Sequence, residues 1–478
     1  MKIYLLFIST SLVAILLFSS CTIKPTNVEN SSEVAPIFPD YTDITLPYNI
    51  APLNFYIKDK AEAYYVEIYD QPKQHLIKIG NRNGDISIPH SQWKELLNEN
   101  KGANYYVDIY LKVDNKWTKY TTITNHIANE GIDSYLSYRI IHPGYEMWNK
   151  MGIYQRNLEN FNQYPIMENT FSQGNCMNCH SYCNNSPDTM MFHMRAAMGG
   201  TVVRINDQLK KLNTKTKNTI SAGAYPSWHP SGKYIAFSTN KVGQTFHAHR
   251  DKNVEVFDTE SNLVVLDLEG NGILSDDTLR TKEYFETFPA WSPDGKHLYF
   301  TRATAKHPSK FNEIYYSLMR IGFDENQKKK FAQVEKIIDA DTITKSIAFP
   351  RVSPDGKHVL FCMSDYGMFT IWHKESDLYL LNIETKEYKK LENVNSDDTE
   401  SFHSWSKNSR WIVFSSKRLD NLTARPFFAY LDKNGIAKKP FVMPQKDPHF
   451  YDKFIKSYNI PELMTGRITK TPKDFARL

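Results

Sequence analysis

Apolar and polar residues alternate with a period of two through most of this chain, the pattern of strands with one buried face. Between about residues 41 and 140, YYVEIYD (64–70), DISIP (85–89), YYVDIYLKV (105–113) and KWTKYTTIT (116–124) read this way, separated by turn residues such as NRNGD and DNK. SQWKELLNEN (91–100) interrupts them with helical spacing and predicts a short helix capped by Ser91. A small β-sandwich is expected here, a spacer or binding module with no catalytic constellation. Residues 141–175 show neither period. They are expected to be an irregular connection that buries Trp148, Tyr154 and Phe161 and leads into a cysteine-rich stretch.

Further on, the alternation becomes a repeat. YPSWHPSGKYIAFSTN begins at Tyr225, FPAWSPDGKHLYFTRA at Phe288, FPRVSPDGKHVLFCMS at Phe349 and FHSWSKNSRWIVFSSK at Phe402. Each copy predicts a strand, a tight turn and a second strand, followed by an outer strand such as NLVVLDLEG (262–270) or DLYLLNIET (377–385). One copy cannot bury its apolar face alone, so the copies must stack. NNSPDTMMFHMR (184–195) reads as a fifth, degraded copy with its own outer strand, GTVVRIN (200–206). Aligned with one turn residue deleted, it sets Met191 and His193 against Ile235 and Phe237, Leu298 and Phe300, Val359 and Phe361, and Ile412 and Phe414. His193 then stands where four copies carry Phe. Asp294 and Asp355 complete turns and are not catalytic acids.

These copies resemble the TolB-like β-propeller repeat, whose core reads roughly Pro-x-Trp-Ser-Pro-Asp-Gly-Lys, over about residues 185 to 445. The N-terminal part is similar to immunoglobulin or fibronectin type III domains. Together the resemblances imply an all-β chain: an immunoglobulin/fibronectin-like β-sandwich at 41–140, a linker with the cysteine cluster at 141–183, and a five- to six-bladed TolB-like propeller with a C-terminal extension at 184–478. The repeat is specific for fold, and propellers host many activities. Propeller-bearing prolyl peptidases resemble it too, but no Gly-x-Ser-x-Gly nucleophile elbow occurs in the chain.

Composition agrees with a sheet-rich globular chain: of 478 residues 41% are hydrophobic and 13% aromatic, with 29 Tyr and 27 Phe. The net charge of +5 is spread without a basic block, which argues against nucleic acid as a partner. Lys2 and the apolar run IYLLFISTSLVAILLF form an export signal. LFSSC, ending at Cys21, resembles a bacterial lipobox, with Phe18 departing from the usual aliphatic residue. The resemblance implies cleavage before Cys21, lipidation of its sulfur and of the new N-terminus, and a membrane anchor of several acyl chains. Residues 22–40 read as a polar tether. Thr22 is not the Asp of inner-membrane retention, so an outer-membrane lipoprotein on the periplasmic or cell-surface face is expected.

The chemistry concentrates in GNCMNCHSYC (174–183), which holds three of the five cysteines. Cys176-Met-Asn-Cys179-His180 is the c-type haem attachment pattern. Two thiols at this spacing reach the two vinyl groups on one porphyrin edge, and the next imidazole falls beneath the ring as an axial ligand. Export fits such attachment. His193 is the candidate second ligand, with Met190, Met191, Met194 and Met198 as alternatives. Zinc on Cys176, Cys179, His180 and Cys183 is the weaker possibility, since four ligands within eight residues make a cramped tetrahedron. A disulfide, Cys176–Cys179 or one involving Cys183 or Cys362, is a further alternative. His247 and His249, two apart in a loop, could ligate a metal. The leading expectation is a covalent haem c protein for periplasmic electron transfer or haem-dependent redox chemistry, with a redox or envelope protein partner. A haem-free propeller scaffold binding envelope proteins or ligands is the alternative, and a redox enzyme with an open iron site a third.

Overall fold

The computed structural model describes residues 23–71, 73–143, 150–247, 254–270 and 272–478. Residues 1–22, with Cys21, and Trp148 and His249 lie outside the described residues.

The N-terminal part is organised around Asn104–Val113, long enough to take partners on both edges. Ala63–Asp70 pairs along one edge, while Lys116–Lys119 and Ile123–Ala128 share the other. Leu76–Asn81, Val28–Asn30 and Thr45–Pro47 complete seven strands. Alternation puts Val66, Ile68, Val107 and Ile109 on the buried face. A three-stranded sheet and the helix His90–Glu99 pack there through Phe55, Ile86, Trp93, Leu96 and Leu97. The helix begins earlier than its sequence suggests. Pro89, with φ −61°, sets its entry without a side-chain cap, and Ser91 lies inside the first turn.

Among the described residues, the rest of the chain forms six four-stranded antiparallel sheets. The second to sixth are each continuous in sequence, with inner strands Met177–Tyr182, Ala224–Trp228, Tyr284–Trp291, Ser346–Val352 and Glu400–Trp405. The first combines Tyr135–Ile141, Gly152–Asn157 and Gln163–Glu168 with the C-terminal strand Ser457–Met464, which is its inner strand. Within residues 141–183, expected as a linker, Gly152–Asn157, Gln163–Glu168 and Met177–Tyr182 are therefore strands of the first two sheets, and the ring is closed by pairing the two ends of the sheet array. The short polar interruptions that hid the period in the sequence lie at the ends of these strands.

All six inner pairs share one irregularity: a bulge at the same repeat position. Its residues are Ile460, Cys179, Tyr225, Phe288, Phe349 and Phe402, all with left-handed φ between 40° and 55°. Such a conformation is unfavourable for any side chain bearing a Cβ. It bends each strand where the six converge, and the side chains meet in one constriction. Tyr225 packs on Phe288 at 4.6 Å, Phe288 on Phe349 at 4.1 Å and Phe349 on Phe402 at 4.9 Å. Faces of neighbouring sheets share apolar clusters, as a β-propeller requires: Ile235 and Phe237 pack on Met191 and Val203 of the second sheet, and Leu298 and Phe300 on Ala236 and Leu263 of the third. The N-terminal part shares a continuous core with the sixth sheet. Trp411 Nε1 donates to Glu130 O at 3.1 Å and Tyr430 Oη to Glu130 Oε2 at 3.0 Å.

The register corrects the alignment of the degraded copy. Met190 lies opposite Tyr182 as Ile235 lies opposite Trp228, and Phe192 occupies the position of Phe237 and Phe300. Phe192, not His193, takes the buried aromatic site, in a cluster with Ile153, Ile166 and Met177. A one-residue slip moves every side chain to the opposite face. His193 therefore corresponds to Ser238, Thr301, Cys362 and Ser415, and in the first sheet to Arg139.

Candidate functional site

The cysteine motif forms the inner strand of the second sheet, at the point where the sixfold pattern is broken. Cys179 occupies a bulge position that other sheets fill with Tyr, Phe or Ile, and its φ is 55°. Its carbon-poor side chain leaves room where an aromatic would stand. Burial raises its thiol pKa, against the pull of Arg195, the Tyr225 backbone and Arg139. Cys176 is half-buried, and all four described cysteines are free thiols.

His180 follows at the position that Pro226, Pro289, Pro350 and Pro461 hold in other sheets. Its side chain is buried to 1% exposure, and neither ring nitrogen has a hydrogen-bond partner. Burial, then the guanidinium of Arg139, pushes its pKa down to about 3; the backbone at Ile460 opposes this weakly. The sixth sheet offers a contrast at the same position. There His403 places Nε2 3.0 Å from Leu360 O and Nδ1 3.6 Å from the Cys362 sulfur. The fold can satisfy both nitrogens of a histidine here; at His180 the Ile460 backbone is the one polar group that opposes its desolvation. Asn178 Oδ1 and Arg139 Nε, around the same strand, are also buried without partners, whereas Tyr182 Oη and Ser137 Oγ lie against each other. Such orphans are rare and call for an explanation.

Two spaces adjoin this strand. The constriction itself, about 30 Å³, is lined by Cys179 and His180 with the bulge aromatics. On one side it opens into a funnel of about 810 Å³ lined by Cys179, Asn178, His193, Met194, Arg139 and Arg195 among others. His193 is nearly buried. Its Nδ1 lies 3.2 Å from Thr201 Oγ1, and burial with Arg195 pushes its pKa down to about 4. On the other side lies a vestibule of about 490 Å³ containing Arg351 and Glu462, 3.4 Å apart.

The structure thus brings Cys179 and His193 to one funnel but sets His180 on the constriction. The donor chemistry fits a covalently held haem: free thiols, an imidazole lacking partners, a second imidazole or the Met194 thioether, and a cavity of ligand size. In this conformation the imidazole of His180 faces the narrow space, so an iron in the funnel would reach it only after a local adjustment. Cys183 stands apart. Its sulfur lies 3.6 Å from His229 O, and the six residues of the strand Met177–Tyr182, a span of about 20 Å, separate it from Cys176. The four proposed zinc ligands therefore do not converge. Among the described residues the one three-ligand grouping is His75, Glu95 and Glu99, on the N-terminal part. His247 is exposed beyond the strand Tyr234–Phe246.

Sequence reasoning missed Arg139. Its sheet carries no Pro-Asp-Gly turn, because its inner strand comes from the C-terminus. The detectable signal is comparison of repeat positions: Arg139 and His193 stand where the other four sheets have Ser, Thr or Cys.

No protein-family model and no curated protein matches the chain. Among solved structures, it is similar to a prolyl endopeptidase (16% identity, TM-score 0.37, covering 57% of this chain and 36% of that one). It is also similar to an oligogalacturonate lyase in complex with manganese (12%, 0.37, covering 66% and 74%) and to the β-propeller domain of the trilobed protease from Pyrococcus furiosus (13%, 0.33, covering 71% and 82%). The chain spans about a third of the prolyl endopeptidase's length.

Proposed function

We propose that this chain is an exported, lipid-anchored six-bladed propeller with an immunoglobulin-like N-terminal sandwich, and that it carries a covalent haem c at the mouth of its axial channel. Cys176 and Cys179 would hold the haem, His180 would be the proximal ligand and His193 the second. The group would supply a one-electron couple, and the chain an electron-transfer partner surface in the periplasm or at the outer membrane. The observation that carries the reading is the buried imidazole of His180, which makes no well-formed hydrogen bond and has only the Ile460 backbone beside it to oppose its desolvation, one residue from a free thiol bordering an 810 Å³ funnel. An imidazole in that state fits a missing ligand better than a core histidine. Axial ligation is tested by visible spectra of the exported protein. His193→Ala should keep the covalent haem but shift it from six-coordinate low-spin toward high-spin, whereas His180→Ala should remove the proximal ligand. An unchanged spectrum in His193→Ala removes His193 from the ligand set. For the anchor, Cys21→Ser protein should no longer partition into detergent.

One observation favours a second reading, a haem-free propeller scaffold: His180 opens on a space of only about 30 Å³. A colourless exported protein would select it.

A further inference from the structure

The funnel carries a charge pattern that its thiols and imidazoles do not explain. Arg139, Arg195 and Lys215 line it, and among the described lining residues there is no Asp or Glu. Arg195 and Lys215 are exposed at its rim. Arg139 is different: it is 9% exposed, its Nη1 donates to Met177 O at 3.2 Å, and its Nε has no partner. Burial lowers its pKa, and the largest electrostatic influences on it are the thiols of Cys176 and Cys179, Arg195 and Tyr225, none of them a carboxylate. A buried cation without a counter-charge is costly, and the third to sixth sheets avoid it with Ser, Thr or Cys at this position. Tyr225, Val254, Val256, Phe369 and Trp372 give the same funnel an apolar wall.

We propose that the funnel binds an amphiphilic carboxylate. The acid group pairs with Arg139, whose planar fork suits bidentate contact, while Arg195 and Lys215 attract it at the rim. The flat or apolar body lies against the Phe369 and Trp372 wall. Two sources share this chemistry: the propionates of a tetrapyrrole, or a free aromatic carboxylic acid. The inference does not depend on covalent haem.

The test uses the full exported chain with Cys176→Ser and Cys179→Ser, so that nothing is attached. Tryptophan fluorescence follows titration with metal-free mesoporphyrin, its dimethyl ester and 2-naphthoate. Mesoporphyrin should bind at least about tenfold more tightly than its ester, and Arg139→Gln should remove that difference, as loss of a charged hydrogen bond does. Arg195→Ala, at an exposed site, should weaken the acid and not the ester, which keeps the test decisive if Arg139→Gln does not fold. Binding of naphthoate as well assigns the site to free acids; binding of mesoporphyrin alone assigns it to tetrapyrroles. Equal binding of acid and ester, or no binding of either acid, overturns the proposal. Failure of the haem reading would appear separately, as a colourless wild-type protein with this binding intact.

Discussion

His180, His193 and His403 are held neutral by burial, with pKa values pushed down to about 3, 4 and 3. The unfolded chain titrates them near 6.5. Between those values the unfolded state binds more protons, so these groups remove stability as pH falls below about 6.5. Each can cost up to about 1.4 kcal/mol per pH unit in that window. In chain prepared without haem, His180→Gln should therefore lose about 1 kcal/mol less stability than the wild type on going from pH 7.5 to 5.5. Urea unfolding at the two pH values measures this, and the buried carboxyls common to both proteins cancel in the comparison. Equal losses would mean that His180 is protonated or solvated in the native state.

At the scale of strands and sheets, the aliphatic–aromatic pairs fix how each sheet meets the next. Phe300 and Phe192 are both fully buried, in different clusters between sheets. Truncating either to Ala should cost about 3–5 kcal/mol by chemical denaturation. A cost below about 1 kcal/mol at Phe192 would restore the rejected register, in which His193 faces that core. The five sequence copies were legible because each strand must show period two and each turn needs its Pro, Asp or Gly. The register of the second sheet was not, because its turn, CNNSPD, differs in length from the others and Met, Phe and His all alternate plausibly. The first sheet left no motif at all: its inner strand, SYNIPELM, is separated from its partner by more than 300 residues. The cysteine motif was visible as chemistry, but its bulge was not. Only the side-by-side arrangement of Cys179 with Tyr225, Phe288, Phe349, Phe402 and Ile460 shows why a small residue there opens the channel wall.

For the whole molecule, closure depends on Ser457–Met464, which pairs with Tyr135–Ile141 and contacts the sixth sheet through the Ser415 Oγ bond to Tyr458 O at 3.4 Å. Deleting residues 457–478 should leave a sheet edge open, expose Tyr138 and Leu136, and replace one cooperative unfolding transition by a broad or absent one in calorimetry. A truncated chain with the full-length transition would show that the ring is held without this strand. The closed ring matters for function because it holds Arg139 of the first sheet against the cysteine strand of the second. The central claim, a haem bound through Cys176 and Cys179, is tested most directly by exporting the protein with haem-attachment machinery, denaturing it and extracting it with acidified solvent. Thioether bonds survive unfolding, so the account predicts that the haem absorbance stays with the polypeptide, persists in Cys183→Ala and is lost in Cys176→Ala with Cys179→Ala. A colourless protein, or colour that extracts completely from the wild type, would contradict it.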